Sequence, residues 1–452
     1  MPRKDAPKIK STQKKTKTIK KTKANHTPET YKATLRELSD TLVQIQKPIR
    51  LLDSMKWDKS IQDDFFKHKF KKLPPVSATY YENIPLEFDI QSKISEFFDL
   101  ERDIRRRLGQ YNAVGEILQR MCREYREVVR MIRNRGKSEF TKISQELFGS
   151  SEDALYAGQP SLNDLATMIT EALVNLKSLP AHHTDERVYT SAEAVAILQA
   201  RLNKYFHGAR YLPQVRLTDG IIADAAAGAD SIKIKKGAFF SERELRLLEV
   251  HEGWVHVGTT LNGAEQPVCT FLSKGPPSST VTQEGLATII EIFTFASYPD
   301  RVRRLTNRIK AIQMAEAGAD FIQVFNFFRE QGLDEQVSYN YTVRVFRGSL
   351  PNAGPFTKDL VYSKGFILIY NYIRLSILQG DPGRVSLLFS GKTTLEDLRV
   401  LSELQEEGIL VPPKFIPPQF LDLGALSAWM CYSLFLNKLN LKMVARDYQN
   451  LL

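Results

Sequence analysis

Two histidines and a glutamate stand in the string His251-Glu252-Gly253-Trp254-Val255-His256. The pattern H-E-x-x-x-H is one residue longer than the H-E-x-x-H helix that holds zinc in many metal-dependent peptidases. These residue types offer two imidazole ligands for a metal, with a carboxylate beside them to take a proton from water. The extra residue is an obstacle. At about 100° per residue, an i,i+4 pair lies roughly 40° apart on an α-helix and an i,i+5 pair roughly 140° apart. A one-residue bulge with i→i+5 hydrogen bonding restores a common face. Gly253 stands where that distortion is needed, and glycine accepts it with least strain. The competing reading is a helix with two hydrogen-bonded histidines and no metal.

A catalytic zinc site takes three protein ligands and keeps its fourth position open. The other histidines are His26, His68, His182, His183 and His207. His26 lies in a lysine-rich tail and His68 in a lysine-rich segment, so neither is attractive. Glu284, expected in the first turn of the next helix, is the natural third ligand. It gives a His-Glu-His set from two adjacent helices, the gluzincin arrangement. Glu291, seven residues on and on the same helical face, competes with it.

The elements that must position these groups can be read from periodicity. Residues 30–148 read as mostly helical: Leu35, Leu38, Leu42 and Ile45 recur at helical spacing, and residues 94–135 form a long amphipathic run. Residues 72–83, with Pro74 and Pro75, break the first group from the second, and residues 149–159 form a polar boundary. Helical patterns return at 161–179 and 191–206. Short strands are predicted at 214–217, 220–224 and 231–235. Ser241 and Glu244 match a capping box, so the histidine string falls in the last two turns of a helix that Gly258 can end. An edge strand beside such a helix aligns the substrate backbone in many zinc peptidases. After a loop at 273–279, a second helix begins near Thr282 and buries Leu286, Ile289, Ile290 and Phe293. Residues 304–328 are helical, 339–346 read as a strand by alternation or as irregular chain, and helices dominate from Lys358 onward.

Composition is that of a globular protein, with 42% apolar and 25% charged residues. The net charge of +11 is concentrated: nine lysines and one arginine against one aspartate fall within residues 1–27, leaving about +2 elsewhere. The tail is predicted to be disordered, and it suits either a salt-sensitive contact with a polyanion or a solubilising role without a dedicated partner. Cys122, Cys269 and Cys431 are scattered and form no C-x-x-C pair, which fits a reducing, cytoplasmic setting. No apolar stretch reaches the ~20 residues of a membrane span. Gly391-Lys392-Thr393-Thr394 imitates the end of a phosphate loop, but Ser386 stands where its first glycine belongs. Nucleotide binding is excluded, and Thr393 with Glu396 reads as a helix cap.

Three further blocks accompany the histidine string: Gln283-Glu284-Gly285-Leu286-Ala287, Arg344-Val345-Phe346-Arg347-Gly348, and Gly354-Pro355-Phe356-Thr357-Lys358-Asp359-Leu360-Val361-Tyr362. Together they resemble the bacterial QEGLA-motif proteins (flavohaemoglobin expression-modulating), whose animal relatives are the microtubule-associated tyrosine carboxypeptidases. The resemblance runs from about Leu35 to about Leu436. It implies a zinc metallocarboxypeptidase that trims a C-terminal aromatic residue, Tyr or Phe, from a protein or peptide. By motif, His251, His256 and Glu284 carry over as ligands of one Zn²⁺ and Glu252 as general base. Arg344, Arg347 and Lys358 are candidates for the terminal carboxylate, and Tyr341 and Tyr362 for the oxyanion.

The expected architecture is helix-rich α+β: a disordered tail (1–27), a helical N-terminal region (28–180) and a zincin-like catalytic region (185–452). Two rivals stand beside the carboxypeptidase. One is a non-catalytic metal- or partner-binding regulatory protein anchored by its basic tail. The other is a zinc hydrolase acting on a different amide, such as a cell-wall peptide.

Overall fold

The computed structural model describes residues 28–448 apart from 157–159, 175, 177–184, 220, 222–223 and 229–230. The basic tail, His26, His182, His183 and most of the strand expected at 220–224 therefore lie outside the described residues. The fold is helix-rich α+β, with two small sheets set among many helices.

The N-terminal periodicity folds as read. Helix Pro28–Gln46 buries Leu35, Leu38 and Leu42, and the amphipathic run at 94–135 forms two helices, Ile90–Leu108 and Ala113–Arg133, divided at Gly109. Gly109 has φ +91°, a conformation that only glycine adopts without strain. The inner faces of these helices join Val250, Trp254, Leu286, Ile290, Ile369 and Ile373 in one apolar core. The N-terminal helices thus support the very elements that carry the histidine string.

A three-stranded sheet stands beside that string. Strand Ser231–Lys235 lies in the centre, parallel to Gln214–Thr218 and antiparallel to Ala225–Ala227. Val215, Ile232 and Ile234 face a second core that includes Leu202, Leu245 and Val257. Ala225–Ala227 is the edge strand nearest the histidines.

The capping box forms as expected. Ser241 Oγ accepts from the Glu244 N–H at 3.1 Å, and Glu244 Oε2 accepts from the Ser241 N–H at 3.0 Å. Gly258 does not end this helix. Its φ is −57°, and helical turns continue through Gly258–Ala264. Residues 258–263 are all buried, so leaving the helix there would strand backbone polar groups without water.

Residues 339–346 are also helical, within Glu335–Phe346. Asp334 caps its start by accepting from the Val337 N–H at 2.8 Å, and Tyr339, Thr342, Val343 and Phe346 share the buried face. The alternation of β-branched residues hid an i, i+3, i+4, i+7 stripe. The Thr393–Glu396 cap is absent as well: Thr393 Oγ1 is buried without a partner, and a 3₁₀ turn follows Thr394.

The second site helix is Pro277–Phe293, starting five residues earlier than expected because Pro277 occupies its first turn. It packs against Val361–Leu378 with almost no space between backbones. A Cβ on Gly285 would lie 2.4 Å from the Gly365 carbonyl carbon, and one on Gly365 would lie 2.1 Å from the Val281 oxygen. Among the described residues, no helix is long and apolar enough to cross a membrane.

Candidate metal centre and cleft

The obstacle posed by the extra residue is removed by the backbone. Glu249–Val257 is a π-helical stretch between α-helical turns, and the Gly258 N–H reaches back to the Gly253 carbonyl, five residues away. In this geometry residues five apart stack as i,i+4 residues do in an α-helix. The His251 and His256 rings come within 4.9 Å of each other, centroid to centroid. The distortion spans nine residues rather than one. Gly253 packs closely: an added Cβ would lie 2.5 Å from Leu202 Cδ2, the tip of a side chain.

Glu284, two turns into its helix, faces both rings. Its Oε2 lies 3.4 Å from Nε2 of His251 and 3.4 Å from Nε2 of His256, and it is buried without a hydrogen-bond partner. Bonds of about 2.0–2.1 Å in a tetrahedron set ligand atoms roughly 3.4 Å apart. An orphaned carboxylate oxygen and two imidazoles at that separation fit a zinc ion. The ligating atoms of the triad lie within 4.8 Å of one another.

Glu291 takes a different place. Its Oε1 lies 2.6 Å from Nδ1 of His251, on the far side of the ring, and Arg301 grips it with two hydrogen bonds of 2.9 and 3.0 Å. Burial alone would raise the Glu291 pKa, but Arg301 and His251 outweigh it and hold the group at about 2. Burial works to lower His251, yet the Glu284 and Glu291 carboxylates beside it push it up to about 10. A carboxylate accepting from Nδ1 fixes the tautomer that leaves Nε2 free for a metal. Replacing Glu291 with alanine is expected to weaken zinc binding by about 10–100-fold in chelator competition. An unchanged affinity removes Glu291 from this role.

Glu252 lies between the triad and the edge strand. Its Oε2 accepts from the Ala227 N–H on the edge strand at 2.8 Å, and its Oε1 lies 3.9 Å from Nε2 of His251. One oxygen is therefore anchored, and the other borders the triad.

The QEGLA block now has a physical account. Gln283 Oε1 accepts from Thr259 Oγ1 at 2.7 Å and from Lys392 Nζ at 2.8 Å, tying the two site helices together. Gly285 permits the close helix approach, and Leu286 and Ala287 are fully buried. Lys392, from the sequence that imitates a phosphate loop, also donates to the His256 carbonyl at 2.8 Å. Burial lowers its pKa to about 7 against the pull of Glu284 and Glu252. Local sequence carried no sign of this placement, because Lys392 is 136 residues from His256.

Two cavities, of about 250 and 580 Å³, meet at the triad and share His251, Glu252, Ala225, Arg344 and Tyr362 in their walls. Arg344 forms a two-pronged pair with Asp359 at 2.7 and 2.8 Å. Arg347 is buried against the Phe356 ring in the larger cavity, where burial and Arg344 push it down to about 10. Lys358 Nζ lies 3.8 Å from Glu284 Oε1, and burial lowers its pKa. Tyr362 stacks near His251 at 6.3 Å, with burial raising its hydroxyl to about 12. Tyr341 lines the smaller cavity and not the larger one.

The family model described as microtubule-associated tyrosine carboxypeptidase matches residues 63–438. The chain belongs to this family. The match begins later than the Leu35 expected from the motifs, and it takes in every site residue named above. It makes the chain a member of a family of carboxypeptidases. No curated protein gives a significant match.

Proposed function

We propose that the chain is a zinc-dependent carboxypeptidase that removes one C-terminal aromatic residue from a protein or peptide. The observation that carries this reading is Glu284 Oε2, buried, unpaired and 3.4 Å from both histidine Nε2 atoms. His251, His256 and Glu284 would hold the zinc, in a zincin-like arrangement beside an edge strand. When bound, that ion lowers the pKa of water towards ~7 and polarises the scissile carbonyl.

The chain's own groups supply the rest. Glu252, anchored through Oε2, uses its free oxygen to take the proton of the attacking water and passes it to the leaving amine. The edge strand Ala225–Ala227 aligns the substrate backbone. Lys358 and the Tyr362 hydroxyl, both close to Glu284 or His251, face the developing oxyanion. In the larger cavity, Arg50, Lys56, Lys233 and Lys274 suit acidic residues upstream of the scissile bond. The smaller cavity, walled by Phe240, Leu247, Tyr298 and Tyr341, suits one aromatic side chain.

Residues 185–452 form the catalytic region in this proposal, with 28–180 bracing its helices and the basic tail contacting a polyanion. Mass spectrometry of peptides differing only in their last residue tests the reaction. Release of single Tyr or Phe residues, dependent on added zinc, is expected. Internal cleavage, or no cleavage with one zinc bound per chain, removes the carboxypeptidase reading.

A further inference from the structure

The smaller cavity is unusually rich in guanidinium groups. Helix Pro299–Glu316 turns Arg301, Arg304 and Arg308 to it at i, i+3 and i+7, and Arg344 enters from the neighbouring helix. Arg187 lines the same cavity together with Asp224, Glu244 and Glu252, and it is paired with Glu244. Glu291 is occupied by Arg301, and Asp359 by the two-pronged grip of Arg344. Arg304 donates to the Tyr298 hydroxyl at 2.5 Å, a neutral partner. Arg308 shares the same carboxylate more loosely, its Nε 3.7 Å from Asp359 Oδ2 and beyond hydrogen-bond reach, and its guanidinium lies by the Tyr341 and Tyr362 rings.

Arg308 is 9% exposed, and its Nε and Nη1 are buried without a hydrogen-bond partner. Unpaired donors on a buried cation are costly unless a ligand completes them. The position of the group is equally telling. Its guanidinium carbon lies 4.8 Å from the centroid of the Tyr362 ring, whose other neighbour is the His251 ring at 6.3 Å. One phenol ring thus neighbours both this guanidinium and a candidate metal ligand. Arg344, the nearest alternative, has its fork committed to Asp359.

We propose that Arg308 is the specificity-determining anchor for the substrate's terminal carboxylate, with Arg304 adding positive charge beside it. The unpaired Arg308 donors select a free C-terminus over an internal peptide bond, and the Tyr298 and Tyr341 rings flank the side chain of the last residue. This inference rests on the carboxypeptidase reading and deepens it.

The test compares one peptide ending in tyrosine with the same peptide carrying a C-terminal amide, using the zinc-loaded full chain. The wild type is expected to prefer the free acid by at least about 100-fold in kcat/KM, the scale of a lost charge-assisted pair in a desolvated site. Arg308→Gln is expected to reduce that ratio to within about threefold, chiefly through KM, with zinc content and circular dichroism unchanged. Arg308→Lys, which keeps the charge but not the fork, is expected to show an intermediate ratio. A variant that folds, cleaves and keeps the wild-type ratio overturns the assignment while leaving the carboxypeptidase reading intact. Inhibition of the wild type by free tyrosine and by tyrosinamide needs no variant. Equal inhibition overturns the anchor, whereas stronger inhibition by the acid supports it. Failure of the wild type to release tyrosine from either peptide overturns the carboxypeptidase reading itself.

Discussion

Glu252→Gln is expected to lower release of the C-terminal residue by about 10³-fold while zinc stays bound at one ion per chain. The substitution keeps the volume and one carbonyl oxygen. That oxygen can still accept from the Ala227 N–H, the 2.8 Å bond that holds the side chain against the edge strand. The fold around the π-helical stretch therefore has no reason to change. What disappears is a basic oxygen beside the triad that can take a proton from water and return it to the leaving amine. Parallel measurement of cleavage and metal content separates these effects. A variant that cleaves within about threefold of the wild type shows that another group moves the proton. A variant that loses zinc instead shows that Glu252 serves the metal.

Gly285→Ala is expected to cost about 3 kcal/mol or more of stability. The new Cβ would meet the Gly365 carbonyl carbon and oxygen at 2.4 Å and its Cα at 2.9 Å. All three are backbone atoms, so no rotamer change relieves the clash and helices Pro277–Phe293 and Val361–Leu378 must separate. Glu284 is the adjacent residue, so the same shift pulls its carboxylate from the histidines. A lower denaturant midpoint and weaker zinc binding should appear together. Gly253→Ala is the control: its clash at 2.5 Å is with the tip of Leu202, a side chain able to rotate. If Gly285→Ala costs no more than Gly253→Ala, the close helix approach is not what the glycine provides.

The order of these effects shows how unevenly the site was legible. Ser241 and Glu244 announced the helix that carries the histidines, because a capping box is a contact between residues three apart. The need for i→i+5 bonding was legible too, since two histidines at that spacing share a face only in π geometry. The length of the distortion and the helical turns beyond Gly258 were not legible. Both depend on Leu202, Phe206 and other residues that close over this stretch from elsewhere in the chain. The strand reading of 339–346 failed for the opposite reason: β-branched composition outweighed a buried stripe that only neighbouring helices reveal.

By itself the sequence determined which chemical groups are available: two imidazoles, a flanking carboxylate, a glutamate in QEGLA and a family of carboxypeptidases to which they belong. Tertiary structure decided which of them meet. Glu284 and Glu291 share a helix face seven residues apart, yet one reaches Nε2 of His251 and the other Nδ1. Arg344 stands in a recognisable block but is held by Asp359, whereas Arg308, in no motif, lines the cavity with two buried donors unpaired. Lys392 joins the site across 136 residues of chain. Local periodicity fixes the face on which a side chain lies. The distance between faces, and the charge left over when they close, depends on packing between segments remote in sequence.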